Sequence, residues 1–119
     1  MIIKKTCNFE YEERDGLFRI VLEGEIDHHS AVSVRADIDA MIFEQRPKRL
    51  ILDLSEISFM DSSGLGLIMG RYSLVRELGG TLLLRSPTAA VTKILSLAGM
   101  ERIIKIEKAF EEDDANEEN

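Results

Sequence analysis

Arg49-Leu50-Ile51-Leu52-Asp53-Leu54 is a short, almost wholly apolar run, and it is flanked on both sides by stretches of helical periodicity. Such a run reads as a strand buried on both faces, lying centrally in a sheet. Upstream, Ala31, Val34, Ile38, Met41 and Ile42 recur at helical spacing from Ser30 onward, until Pro47 forbids continuation. Downstream, a loop through Ser55 to Asp61 leads to a second helix from about Ser63 to Leu78, which Gly79-Gly80 stop in the C-cap position.

The same alternation continues to the C-terminal side. Thr81 to Leu84 forms another buried strand, and Ser86-Pro87 places an N-cap before a proline at the first helical position of a helix running to Gly99. Ile103, Ile104 and Ile106 suggest a closing strand or a packed C-terminal segment. At the other end, Cys7, Phe9 and Tyr11 alternate with polar residues, and Asp15-Gly16 turns the chain into the β-rich segment Leu17 to Glu23, which Gly24 ends. The expectation is a single α/β domain over residues 1–108: right-handed βαβ crossovers build a mainly parallel sheet, to which an N-terminal hairpin adds an antiparallel edge.

Composition narrows the function. A chain of 119 residues holds one hydrophobic core, and its 45% apolar and 31% charged residues are ordinary for a globular protein. No apolar run approaches membrane-spanning length, and the Met1-Ile2-Ile3-Lys4-Lys5 start lacks the pattern of a signal peptide. Cys7 is the single cysteine; it excludes an internal disulfide, leaves too few ligands for a Cys/His zinc site, and is read as a space-filling residue. Of the net charge of −7, Glu111, Glu112, Asp113, Asp114, Glu117 and Glu118 supply −6. Residues 109–119 therefore read as an acidic, disordered tail, and the nearly neutral body has no basic stripe with which to bind nucleic acid.

The chemistry is concentrated in Phe59-Met60-Asp61-Ser62-Ser63-Gly64-Leu65-Gly66, where the central strand hands over to the second helix. Strand C-termini are where sites form in such sheets. A serine just ahead of a helix meets unpaired backbone N–H groups and the positive end of the helix dipole, so a phosphate ester there could be held without unfolding. Either Ser62 is a phosphoacceptor, or Asp61 or Ser62 simply caps the helix.

Three other chemistries fit poorly. A serine hydrolase elbow needs glycine two residues before and after its nucleophile, whereas Met60 precedes Ser62, and Asp61 precedes Ser63. A nucleotide-binding reading of Gly64-Leu65-Gly66-Leu67-Ile68-Met69-Gly70 has its third glycine one residue late and lacks a P-loop lysine. Adjacent His28 and His29 on a helix diverge, which argues against metal binding. No cofactor is implied.

The motif Phe59 to Gly66, continuing as Gly70-Arg71-Tyr72, resembles the signature of STAS-domain anti-sigma factor antagonists, especially the sporulation sigma-F type. Gly24-Glu25-Ile26-Asp27-His28-His29 is similar to the segment that opens the first helix in those proteins, with Ile26 where leucine is common. The likeness runs from about residue 7 to 107 and implies a cytoplasmic, non-enzymatic partner switch of STAS fold. The unmodified protein would capture an anti-sigma factor that is also a serine kinase and so free the sigma factor. Phosphorylation of the residue matching Ser62 would end the capture, and a PP2C-type phosphatase would restore it. The implied partner surface comprises Gly24, Asp27, His28, His29, Asp61, Ser62, Ser63, Gly64 and Leu65, with Leu67 a docking contact or a residue packed on a neighbouring helix. A general stress-response antagonist of the same fold is the nearest alternative, and a nucleotide-binding module a more distant one.

Overall fold

The computed structural model describes residues 7–108; the acidic tail proposed for 109–119 lies outside them. The chain runs β1 (Cys7–Arg14), β2 (Leu17–Ile26), α1 (His28–Gln45), β3 (Arg49–Met60), α2 (Ser62–Glu77), β4 (Thr81–Arg85), α3 (Ala89–Leu97), a short 3-10 turn (Met100–Arg102) and β5 (Ile106–Glu107). The five strands lie in sequence order across one sheet. β1 is antiparallel to β2, and every later pair is parallel.

Local chemistry explains the hairpin. Asp15 and Gly16 both take positive φ, 55° and 83°, which is the mirror-image turn that matches strand twist and that an Asp-Gly pair tolerates best. The register then sets Cys7 opposite Gly24 and Arg14 opposite Leu17. Cys7 is buried, and burial pushes its thiol up to about 11, in keeping with a residue that fills space.

β3 is the central strand, as the apolar run at 49–54 implies, but only one face of the sheet carries helices. Phe18, Ile20 and Leu22 of β2, Leu50, Leu52 and Leu54 of β3, and Leu82 and Leu84 of β4 join Val34, Ile38 and Ile42 of α1, Ile68 and Val75 of α2, and Val91 and Leu95 of α3 in one core. Ile51 and Asp53, pointing the other way, stand outside that core although both are buried. Their face is an open concave surface lined by groups such as Glu12, Arg19, Arg85 and Glu107. Long polar side chains lying along the sheet shield that face, so β3 is buried on both sides as its apolar run implies, by side chains and not by a second layer of helices.

Four boundaries differ from the sequence reading. β2 does not end at Gly24 but passes through it at φ 116° and continues to Ile26. Residues 55–60, expected as loop, continue β3 to Met60. α1 starts at His28 and not at Ser30, because Asp27 caps it. Ser86 is not the cap of α3: it turns the chain with φ 57°, and Thr88 caps the helix through a hydrogen bond from the Val91 N–H.

Gly80 sits where the end of α2 meets the α1–β3 connection. A Cβ there would overlap the Pro47 carbonyl and press on Val75. Gly80→Ala is expected to lower the unfolding free energy by about 1–3 kcal/mol, as overpacking does, measurable by urea denaturation; unchanged stability would contradict this packing.

Candidate functional site

The site forms where β2 and β3 end side by side. Ile26 pairs with Met60, and the Asp61 N–H donates to the Ile26 carbonyl at 3.1 Å. The next residue on each strand, Asp27 and Asp61, is the N-cap of the helix beyond it. Two helix N-termini thus open next to each other at the C-terminal edge of the sheet.

Each cap has its own geometry. At α1 the Ser30 N–H donates to Asp27 Oδ1 at 2.9 Å, the Asp27 N–H donates to Ser30 Oγ at 2.9 Å, and the Ser30 hydroxyl donates to the Glu25 carbonyl at 2.8 Å. This is a reciprocal capping box. The Ser30 N–H holds the Asp27 carboxyl below the usual carboxylate range, with help from the Ser30 hydroxyl and His29 and against some desolvation. At α2 the Ser63 N–H donates to Asp61 Oδ1 at 2.8 Å, and the Gly64 N–H donates to the Asp61 carbonyl at 3.0 Å.

The capping question raised by the sequence is thereby answered. Asp61 does the capping, and Ser62 is the first helical residue, exposed, with its hydroxyl in no hydrogen bond among the described residues. No other acidic side chain lies in the first turn of α2. An anion attached at Ser62 Oγ would meet the positive end of that helix.

The other expected site residues divide by exposure. His28 and His29 are exposed at the start of α1, their rings 5.8 Å apart. Asp27, Asp61, Ser63, Gly24 and Leu65 are half-buried. Gly64 is buried against Met60 and Ile26. Leu67 is only 4% exposed and belongs to the core, so of its two readings the packed residue holds and the docking contact is corrected. Gly24 serves the backbone: its positive φ lies in a stretch of irregular β2–β3 register, and its carbonyl accepts from the Ser58 hydroxyl at 3.2 Å.

Sequence reasoning missed two features. Phe59, the first residue of the motif, is 48% exposed; no periodicity around it marks it as outward-facing. Arg71 reaches from α2 to α1, its Nε 2.8 Å from Asp39 Oδ1, and its Nη1 donates to the Leu67 carbonyl at 3.3 Å. This largely buried pair ties the two helices together below their N-termini. Beside it runs a cleft of about 370 Å³ between α1 and α2, lined among others by His28, Val32, Arg35, Gly66 and Gly70.

The Ser–His hydrogen bond on which a hydrolase triad turns is not formed between Ser62 and His28 or His29 among the described residues; the hydrogen bonds at this end of α2 run to Asp61. The described residues contain no group of three or more His, Cys, Asp or Glu placed to hold a metal ion. No helix among them is long and apolar enough to cross a membrane.

Comparison with known proteins gives the family. The STAS domain family matches residues 8–113. An anti-sigma F factor antagonist of Paenibacillus polymyxa is 36% identical over 101 residues, covering 85% of this chain and 86% of that protein. The anti-sigma-B factor antagonist of Bacillus subtilis is 27% identical, covering 85% and 91%. The anti-sigma factor antagonist SpoIIAA has been solved unphosphorylated (TM-score 0.72, covering 94% of this chain and 98% of that one) and phosphorylated (TM-score 0.68, 94% and 100%), with 30% identity in each case. The chain belongs to the STAS family and, within it, to the anti-sigma factor antagonists.

The local chemistry makes two consequences measurable. A Cβ at Gly66 would meet nothing within 4 Å, so the sheet does not need that glycine. Gly66→Ala should raise stability by about 1 kcal/mol through helix propensity alone, and a lowered urea midpoint would contradict this.

The second consequence concerns acid. Asp53 is 4% exposed. Burial alone would raise its carboxyl, but the Ser55 hydroxyl, the Ser55 N–H and Arg19 outweigh it and hold the group below its ordinary value. A folded-state value below the unfolded one stabilises fully above the ordinary carboxylate range, about pH 4, and the benefit is lost as pH falls through the lowered folded value. Asp53→Asn should therefore be less stable than wild type at neutral pH, with the gap closing below about pH 4; parallel thermal-melt profiles from pH 7 downward would refute it.

Proposed function

We propose that the unmodified chain captures an anti-sigma factor that is also a serine kinase, releasing a sigma factor to RNA polymerase, and that phosphorylation of Ser62 ends the capture. A PP2C-type phosphatase acting on phosphorylated Ser62 restores the binding form, and the cycle takes place in the cytoplasm, where ATP and the transcription machinery are. One observation carries this reading: Asp61 caps α2 and leaves the Ser62 hydroxyl exposed and uncommitted at a helix N-terminus. The existence of SpoIIAA in both phosphorylated and unphosphorylated forms lends it support.

The physics of the switch is electrostatic. A phosphoserine adds about −1.5 to −2 charges at neutral pH, here one residue from the Asp61 carboxylate and on the surface shared with Asp27. The α2 terminus returns about 0.3–1 kcal/mol of compensation. A like charge about 5 Å away costs roughly 3 kcal/mol at an effective dielectric near 20. Repulsion and bulk at the docking surface therefore dominate, and a penalty of about 3–4 kcal/mol weakens binding by two to three orders of magnitude.

The sporulation system is the better assignment, on the adjacent His28-His29 pair and on the higher identity to an anti-sigma F factor antagonist than to the B. subtilis anti-sigma-B protein, 36% against 27%. A stress-response antagonist uses the same acceptor chemistry and remains the second reading, since anti-sigma-B antagonists are also relatives.

The test is incubation of the purified chain with anti-sigma F and anti-sigma B kinases and ATP, with the phosphate located by mass spectrometry, alongside pull-downs of two variants. Ser62→Ala is expected to bind and resist inactivation, and Ser62→Asp to bind about a hundredfold more weakly. Equal binding by both variants, or phosphate on another residue, would defeat the mechanism.

A further inference from the structure

β2 and β3 reach the site in step only because β3 carries surplus residues. Val21 pairs with Asp53, but Glu23 pairs with Glu56, so Leu22 is matched by both Leu54 and Ser55. Gly24 then pairs with Ile57, and Glu25 with Phe59, leaving Ser58 extra. Had the first register persisted, Ile26 would stand opposite Ser58, and the motif would overshoot the end of β2 by two residues, about 6.6 Å at strand rise. The two bulges absorb that length and bring Ile26 level with Met60, which allows the Asp61 N–H to bond the Ile26 carbonyl.

The first bulge is pinned by a side-chain cluster on the open face of the sheet. Asp53 Oδ1 accepts from the Ser55 N–H at 2.9 Å and from the Ser55 hydroxyl at 2.7 Å. Its Oδ2 accepts from Arg19 Nε at 3.2 Å and Nη2 at 3.0 Å. An aspartate that bonds the backbone two residues on imposes a local turn, and here it does so at the register shift. A bulge sacrifices ladder bonding and re-aims the strand beyond it. A buried carboxylate is in turn costly to retain without partners.

We propose that Asp53, Ser55 and Arg19 are positioning residues for the phosphoacceptor: by fixing the β3 bulge they set the height of Ser62 beside the α1 terminus, and so tune partner capture and phosphorylation from the far face of the sheet. The proposal rests on the reading of Ser62 as the phosphoacceptor. The same face supplies its control. Arg85 and Glu107 also form an ion pair, Nη2 to Oε1 at 2.8 Å, but the β3–β4 register beside them is regular.

Three full-length variants, Asp53→Asn, Ser55→Ala and the control Arg85→Gln, would be compared with wild type at a temperature where circular dichroism shows all to be folded. Ser55 is exposed, so Ser55→Ala remains informative should Asp53→Asn fold poorly. The readouts are kcat/KM for Ser62 phosphorylation by an anti-sigma F kinase with ATP, and amide hydrogen exchange across residues 55–64. Asp53→Asn and Ser55→Ala are expected to lose about tenfold to a hundredfold in kcat/KM, the scale of an ångström-sized misplacement, with faster exchange over 55–64. Arg85→Gln is expected to retain both wild-type values. Wild-type kcat/KM and exchange in both cluster variants, or equal losses in Arg85→Gln, would overturn the proposal. Failure of wild type itself to be phosphorylated at Ser62 would sink the functional reading instead, and the exchange data would still decide whether the cluster holds the bulge.

Discussion

A single backbone hydrogen bond, from the Asp61 N–H to the Ile26 carbonyl at 3.1 Å, fixes where everything else in the site stands. It closes the last rung between β2 and β3, so that two strands become two helices within one residue of each other. The two caps and the exposed hydroxyl of Ser62 all take their places from that rung. The core beneath makes it rigid: Ile26 and Met60 are buried together with Ile57, and Gly64 leaves no room for a Cβ against Met60.

The same arrangement explains why a phosphate here should act without refolding. The capping bonds of α2 run to Asp61 and not to Ser62, so modification at Ser62 breaks no bond that holds the helix. The added charge faces solvent and the dipole of its own helix, both of which tolerate it. Under the proposed function, a docking partner would meet that charge, with its bulk, beside the carboxylates of Asp27 and Asp61.

Much of this was legible in the sequence, for definable reasons. Pro47, Gly79-Gly80 and the apolar run at 49–54 punctuate the chain strongly, and the mainly parallel sheet with its antiparallel edge and central third strand grows out of them. The extension of β3 was not legible: its two bulges break the period of two, leaving Ser55, Glu56, Ser58 and Phe59 exposed around a lone buried Ile57, a pattern that reads as loop. The start of α1 was misjudged because its capping box pairs Asp27 with Ser30 and not with a glutamate. For Leu67 the sequence left a docking contact and a packed residue open, and its burial in the core decides for packing, which the residue pattern of one helix cannot reveal.

The central claim is that phosphate on Ser62 changes a surface and leaves the fold alone. Its most direct test is a comparison of backbone amide NMR spectra of the chain before and after stoichiometric phosphorylation. The account predicts shifts confined to the paired helix starts, Asp27 to Ser30 and Asp61 to Leu65, with β3 residues Leu50 to Leu54 and α1 residues Val34 to Ile42 unmoved. Displacement spreading through that core would contradict it.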